Sequence, residues 1–204
     1  MHTFLKYLLL LAFAFVLPST AGEITKEQEI KQMMIKKSDT FFAILADKSL
    51  DDTVRKKKVL DEIGPLFDFR LMSRLALNKK IWKSLNKAER KEFSEVFVSR
   101  IQESYLSKLD IFADVEVEIG DSVRVKKNRI ELTALIKTKA DTKKLVYKFY
   151  QTKKKKWLIY DISVVGVSFL QSYRAQYSSY LKEHTIEELI NKLKLDPIED
   201  ETAV

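Results

Sequence analysis

The apolar and polar positions change period near the middle of the chain. Over residues 25–47 apolar side chains recur at Ile30, Met33, Met34, Phe41, Ile44 and Leu45, one stripe of a helix. Asp51 or Asp52 can cap a second helix that runs to Ile63, where Gly64-Pro65 stops it. A third begins near Phe67 and carries Leu71, Met72 and Leu75. Asn86, with Glu89 three positions on, reads as a capping pair. The helix behind it has the clearest period: Phe93, Val96, Phe97, Ile101, Tyr105 and Leu109. From Val115 the period is two. Val115, Val117 and Ile119 alternate with acids, and Ile130, Leu132, Ala134 and Ile136 alternate likewise. Residues 145–152 and 157–163 give two further strands. The four lysines between them, 153–156, predict a solvated hairpin turn that also discourages edge pairing. Ser168 then caps a helix through Phe169, Tyr173, Tyr177 and Leu181. Thr185 with Glu188 opens a last short one with Leu189 and Ile190. Helices, a four-stranded antiparallel meander, then helices predict an α+β domain with helices covering one face of a curved sheet.

Residues 1–21 interrupt this pattern. Lys6 is followed by an uncharged apolar run from Tyr7 to Leu17, then by Ser19 and Ala21 at the small-residue positions of a cleavage site. The run is shorter than the roughly 20 residues that span a bilayer. A cleaved signal peptide is expected over 1–21, a single domain over 22–195, and a flexible acidic tail over 196–204. Residues 196–204 hold four acids and no base, so the domain before them is more basic than the formal +8 of the whole chain.

Composition removes most familiar chemistries. There is no cysteine, so no disulfide, thiolate nucleophile or Cys-held zinc exists. The four glycines do not form a nucleotide-binding loop. With only His2 and His184, no histidine-rich metal site is expected, and no cofactor is implied. The acid–base candidates are Asp68, His184 and Asp161, the last set among apolar neighbours in Trp157-Leu158-Ile159-Tyr160-Asp161. A structural reading is simpler: Asp161 pairs with an arginine such as Arg174 or caps a turn, and His184 lies on the surface. Nucleic acid is not an expected partner, because the aromatics sit on core-like stripes and an exported chain meets little of it. Anionic headgroups or acidic proteins account better for the basic surface.

The apolar stripes are abundant, and they can make a filled core or a pocket. On the helices they comprise Phe67, Leu71, Met72, Leu75, Phe93, Phe97, Ile101 and Tyr105. On the strands they comprise Leu132, Ala134, Ile136, Tyr147, Phe149, Leu158, Tyr160 and Ile162.

An ordered set of motifs carries a resemblance. Leu66-Phe67-Asp68-Phe69-Arg70-Leu71-Met72-Ser73-Arg74-Leu75-Ala76-Leu77, then Trp82, Leu85, Glu92-Phe93, Phe97 and Tyr105 form its first part. Tyr147-Lys148-Phe149, Trp157-Leu158-Ile159-Tyr160-Asp161-Ile162, Gly166-Val167-Ser168-Phe169 and Tyr173-Arg174-Ala175-Gln176-Tyr177 form its second. Together they resemble the MlaC (toluene-tolerance) family. Two positions depart from it: no glycine precedes Trp82, and Val165 stands where an acid usually precedes Gly-Val-Ser. The resemblance implies a periplasmic phospholipid carrier that is not an enzyme, with acyl chains held between sheet and helices and the headgroup near the mouth. It implies exchange with an inner-membrane ABC transporter through its membrane-anchored substrate-binding component, and with an outer-membrane lipoprotein complex, so that outer-membrane lipid asymmetry is maintained. The helix and strand stripes above, with Val167, would line the pocket, and Asp161 and Arg174 would be structural. Each buried methylene contributes about 0.8 kcal/mol, so a carrier must replace some 25 kcal/mol for two chains of about sixteen carbons.

Overall fold

The computed structural model describes residues 24–107 and 109–195. The expected leader and acidic tail lie outside the described residues. Helix α1 (Lys26–Ala46) starts on a capping box, Thr25 with Gln28. Helix α2 (Asp52–Ile63) starts on Asp51, whose side chain accepts from the Val54 N–H. Pro65 then tightens the chain into a 3-10 turn, Gly64–Leu66. Helix α3 (Phe69–Ala76) is capped by Asp68. Helix α4 (Lys79–Ser84) is a short element the apolar period does not reveal, and Asn78 caps it by accepting from the Ile81 N–H. Helix α5 (Lys87–Leu106) carries the expected Asn86–Glu89 box, but ends before Leu109, which belongs to a 3-10 turn over Leu109–Asp114.

The sheet follows: β1 (Glu116–Lys126), β2 (Arg129–Lys137), β3 (Thr142–Gln151), β4 (Trp157–Val164) and β5 (Val167–Ser168). It is an antiparallel meander in the order β1-β2-β3-β4-β5. The expected four strands are therefore five. The last is a two-residue return, in which Val164 pairs Val167 across a two-residue loop. Both loop residues have positive φ, 49° at Val165 and 84° at Gly166, as the twist of a tight hairpin demands. Glycine accepts this freely; a β-branched valine does not. The chain ends in α6 (Phe169–Tyr180), capped by Ser168, and α7 (Ile186–Leu195), opened by the Thr185–Glu188 box.

A bulge in β4 redirects its side chains. Lys148 pairs Asp161, but the next residue, Phe149, pairs Ile159, leaving Tyr160 as the extra residue. Ile159 is therefore fully buried beside Phe149. Tyr160 turns to the opposite face, where its ring meets Tyr150 edge-on at 5.9 Å and the Arg129 guanidinium at 4.7 Å. Leu158, paired with Tyr150, shares that face.

Two apolar interiors result. The helical one joins α3, α5, α6 and α7 through Met72, Ala76, Leu85, Phe93, Phe97, Ile101, Leu170, Tyr177, Leu189 and Ile190. The sheet interior joins α1 and Leu66 to Ile130, Leu132, Phe149 and Ile159, with Ile30 and Met34 as the helix contribution. Phe67 packs against both. Its segment also runs beside β4, where the Asp68 N–H donates to the Ile159 carbonyl at 2.9 Å.

Candidate functional site

The site candidates separate by how completely they are covered. Met72, Phe93, Phe97, Leu132, Ala134 and Phe149 are fully buried, and Ile101 nearly so. They are filled interior and offer no surface to a ligand in this arrangement. Phe67, Leu71, Leu75, Ile136, Tyr147 and Ile162 are half-buried. Leu75 edges the helical interior, while Tyr147 and Ile162, paired across β3 and β4, edge the sheet interior. Leu158 and Tyr160 point to the far face through the bulge, and Val167 is exposed on β5. The stripe Leu158, Tyr160, Ile162 expected on one face is thus divided.

Tyr105, at the end of α5, is 46% exposed. Yet loss of water raises its hydroxyl pKa, and the neighbouring hydroxyls of Tyr173 and Tyr147 raise it further. Burial alone pushes Tyr147 up to about 12. Side chains of α5, α6 and β3 therefore meet at Tyr105. Phe169 extends this aromatic group, 6.0 Å from Tyr105 and 4.6 Å from Tyr173, and Tyr173 meets the buried Phe97 edge-on at 5.6 Å. Half-buried Phe41 of α1 and Phe112 of the 3-10 turn make a further edge contact at 5.7 Å.

Sequence reasoning placed Phe169 and Tyr173 on a helix stripe but not in the site. The available signal was their spacing of four with Tyr177, which puts all three on one side of α6. Phe41 and Phe112 gave no such signal. Two open depressions, of about 370 and 280 Å³, lie elsewhere, at Arg70, Ser94 and Gln102 and at Asp114, Thr138 and Ala140. Neither contains a predicted site residue.

The polar candidates hold the fold together. Asp161 is buried, and its partner is Lys148 at 2.8 Å, not Arg174. The reason is register: the bulge brings Lys148 opposite Asp161. The same carboxylate accepts from the Ser168 hydroxyl at 2.7 Å and from the Leu170 N–H at 3.1 Å, so it ties β4 to the start of α6. Arg174 instead donates from Nε to the Leu75 carbonyl at 2.8 Å, joining α6 to the end of α3. One Asp68 oxygen caps α3 at the Leu71 N–H, 2.8 Å away, and the other accepts from the Tyr150 hydroxyl. Burial first, then that bond to Asp68, pushes the Tyr150 hydroxyl up to about 12. His184 stacks on Tyr180 at 4.1 Å near the surface. Among the described residues no cluster of His, Cys, Asp and Glu could hold a metal ion, and no helix is long and apolar enough to cross a membrane.

Aromatic side chains of α5 and α6 thus meet Tyr147 of β3, while Asp161 and Asp68 are committed to caps and strand ties. The family model for the MlaC protein matches residues 36–195, from within α1 to the end of α7, and so takes in the helical interior and the sheet interior apart from Ile30 and Met34 of α1. The chain belongs to the MlaC family. The resemblance read from Leu66 onward therefore holds. No curated protein matches the sequence. Among solved structures the chain is similar to the phospholipid-binding protein from Ralstonia solanacearum in complex with a phospholipid. That similarity has a TM-score of 0.69 at 17% identity, over 80% of this chain and 94% of the other. Both departures from the MlaC pattern now have a local account. Asn78 caps α4 just before Trp82, where the glycine is missing. Val165 occupies the left-handed turn position that an aspartate or asparagine would tolerate better.

Proposed function

We propose that this chain is a phospholipid carrier of the periplasm, and that it holds acyl chains in the gap between its helical and sheet interiors. The observation that carries the reading is the partly uncovered aromatic group of Tyr105, Phe169 and Tyr173 beside Tyr147, where the helical and sheet interiors face each other. The family membership and the phospholipid-bound structural neighbour support it. The lining is drawn from the half-buried set Phe67, Leu71, Leu75, Ile136, Tyr147 and Ile162, with the more exposed Tyr105 and with Phe169 and Tyr173 added. The fully buried stripe residues stand behind this lining as walls.

Export by cleavage after residue 21 brings the protein to the aqueous space between two membranes. There it takes lipid from, or returns it to, an inner-membrane ABC transporter through its membrane-anchored substrate-binding component. It exchanges with an outer-membrane lipoprotein complex on the other side, and this traffic maintains lipid asymmetry. No bond is made or broken, so transfer needs only comparable affinity at each station. An exported acid–base enzyme using Asp161 or Asp68 finds little support, because both oxygens of each carboxylate accept fold-holding hydrogen bonds.

Organic extraction and mass spectrometry of the exported protein, purified without detergent, tests the reading. The expected result is close to one phospholipid per chain. Ile162→Trp, which pushes bulk into the gap from β4, should lower that occupancy severalfold while the fold persists. Leu158→Trp, on the opposite face, should leave it unchanged. Protein that is folded and free of lipid, even after incubation with phospholipid vesicles, would falsify the proposal.

A further inference from the structure

Two hairpin turns lie side by side at one end of the sheet. The β1–β2 turn presents Lys126 and Lys127, and the β3–β4 turn presents Lys153, Lys154, Lys155 and Lys156, all six exposed. The Gln151 N–H donates to the Asn128 carbonyl at 3.1 Å, which fixes the two turns together. Ion pairs nearby use other cations: Arg124 with Glu27, Lys31 with Asp121, and Lys148 with Asp161. Among the described residues none of the six lysines has a carboxylate partner.

The longer turn is held in shape. Thr152 donates its N–H to the Lys156 carbonyl at 2.7 Å, and its own carbonyl accepts from Lys155 at 2.9 Å. Lys155 has φ 62°, a conformation where asparagine or glycine is the usual occupant. A strained position that nevertheless holds a charged lysine motivates a functional reading. The turn sits at the end of the strands, and one open side of the sheet runs along β1. On that open side, next to the lysines, Val123 and Val125 are 56% and 48% exposed.

We propose that these two turns form a landing surface for anionic phospholipid membranes. Six unpaired positive charges at one end of the sheet complement a field of negative headgroups. Lysine is a mobile point charge on a flexible stem, suited to a diffuse anionic layer, whereas specific pairing with carboxylates favours the rigid fork of arginine. The two valines supply the apolar component that enters the headgroup region. Contact of this kind is weak, reversible and salt-sensitive, as a shuttle requires.

The test is cosedimentation of the exported chain with vesicles of phosphatidylcholine alone, or of equal parts phosphatidylcholine and phosphatidylglycerol. The wild type should bind the anionic vesicles and release them at high salt. Each lysine lost from the surface should weaken binding about fivefold. The variant Lys153→Gln, Lys154→Gln, Lys155→Asn, Lys156→Gln should therefore lose roughly a hundredfold or more. A control variant removes the same charge elsewhere, through Lys58→Gln, Lys79→Gln, Lys80→Gln and Lys83→Gln, all exposed. It should lose no more than a few-fold. Should the first variant fail to fold, Lys126→Gln with Lys127→Gln reads the same surface, with a loss of about 25-fold expected. Equal losses in turn and control variants, or none in either, overturn the proposal. So does an unchanged affinity for vesicles combined with lost capture by immobilised polyglutamate, which would assign the lysines to an acidic protein partner. Vesicle binding reads the turns and co-purified lipid reads the gap, so each proposal can fail without the other.

Discussion

The helical and sheet interiors are closed in different ways. The helical interior is closed by aromatic packing: Phe93 and Phe97 stack at 5.8 Å, and Tyr177 meets both edge-on at 6.0 and 6.4 Å. The buried part of the sheet interior holds one ring, Phe149, and it is covered by one helix, α1, and by the short segment around Leu66. The first has helices on all sides, and the second is a half-covered sheet. The difference teaches where room exists. A four-helix cluster encloses its own side chains, whereas a sheet with one helix across it leaves a flank that this helix does not cover, and half-buried Tyr147 and Ile162 stand at the edge of the interior.

Truncations should separate the two most strongly. Phe97→Ala, at 0% exposure among stacked rings, should cost about 3–5 kcal/mol in urea unfolding. Ile130→Val in the sheet interior should cost only about 0.5–1.5 kcal/mol. A Phe97→Ala loss below that of Ile130→Val would reverse the ranking. Next comes the tie between sheet and helices. Asp161→Asn leaves Lys148 with no carboxylate in a largely buried position and weakens the bonds to Ser168 and Leu170. It should cost about 3 kcal/mol, because one member of a buried charge pair is removed. Lys148→Met added to it should recover part of that loss, and no recovery would show the pairing to be incidental.

The alkaline limb probes the gap itself. The Tyr147 hydroxyl pKa is raised by burial from 10.0 to about 12. The folded value lies above the unfolded one, so its contribution is fully present below pH about 10 and disappears as pH rises to about 12. Tyr147→Phe should flatten the fall in stability across that window, measured by urea unfolding at stepped pH. An identical slope in both proteins would show that the Tyr147 hydroxyl is not held away from water. The smallest effect is at the hairpin. Val165→Asn relieves a β-branched residue at φ 49° and should stabilise by about 1 kcal/mol, read as a raised melting temperature.

Much of the fold was legible in local chemistry. The Asn86–Glu89 and Thr185–Glu188 boxes, the Asp51 cap and the Ser168 cap all act where their spacing implied. Local signals fail where a long-range register decides. Trp157-Leu158-Ile159-Tyr160 is apolar at every position, so alternation cannot say which side chains face inward, and the bulge opposite Phe149 makes Ile159 the buried one. The same register selects Lys148 over Arg174 as the partner of Asp161. The candidate site was legible as a collection of stripes but not as a boundary. Periodicity marks which face of an element is apolar, and it carries no information on whether the opposing face arrives close enough to fill the space.

Phe67 alone among the clustered residues packs against both interiors. The other ties between them are polar, at Asp161 and Asp68. Amide hydrogens in the lipid-free protein should exchange as two populations, each with its own opening free energy. A guest seated between them would become shared interior, and its binding energy would enter the stability of both halves at once. Cooperativity in this molecule would then be a property of the cargo as much as of the chain.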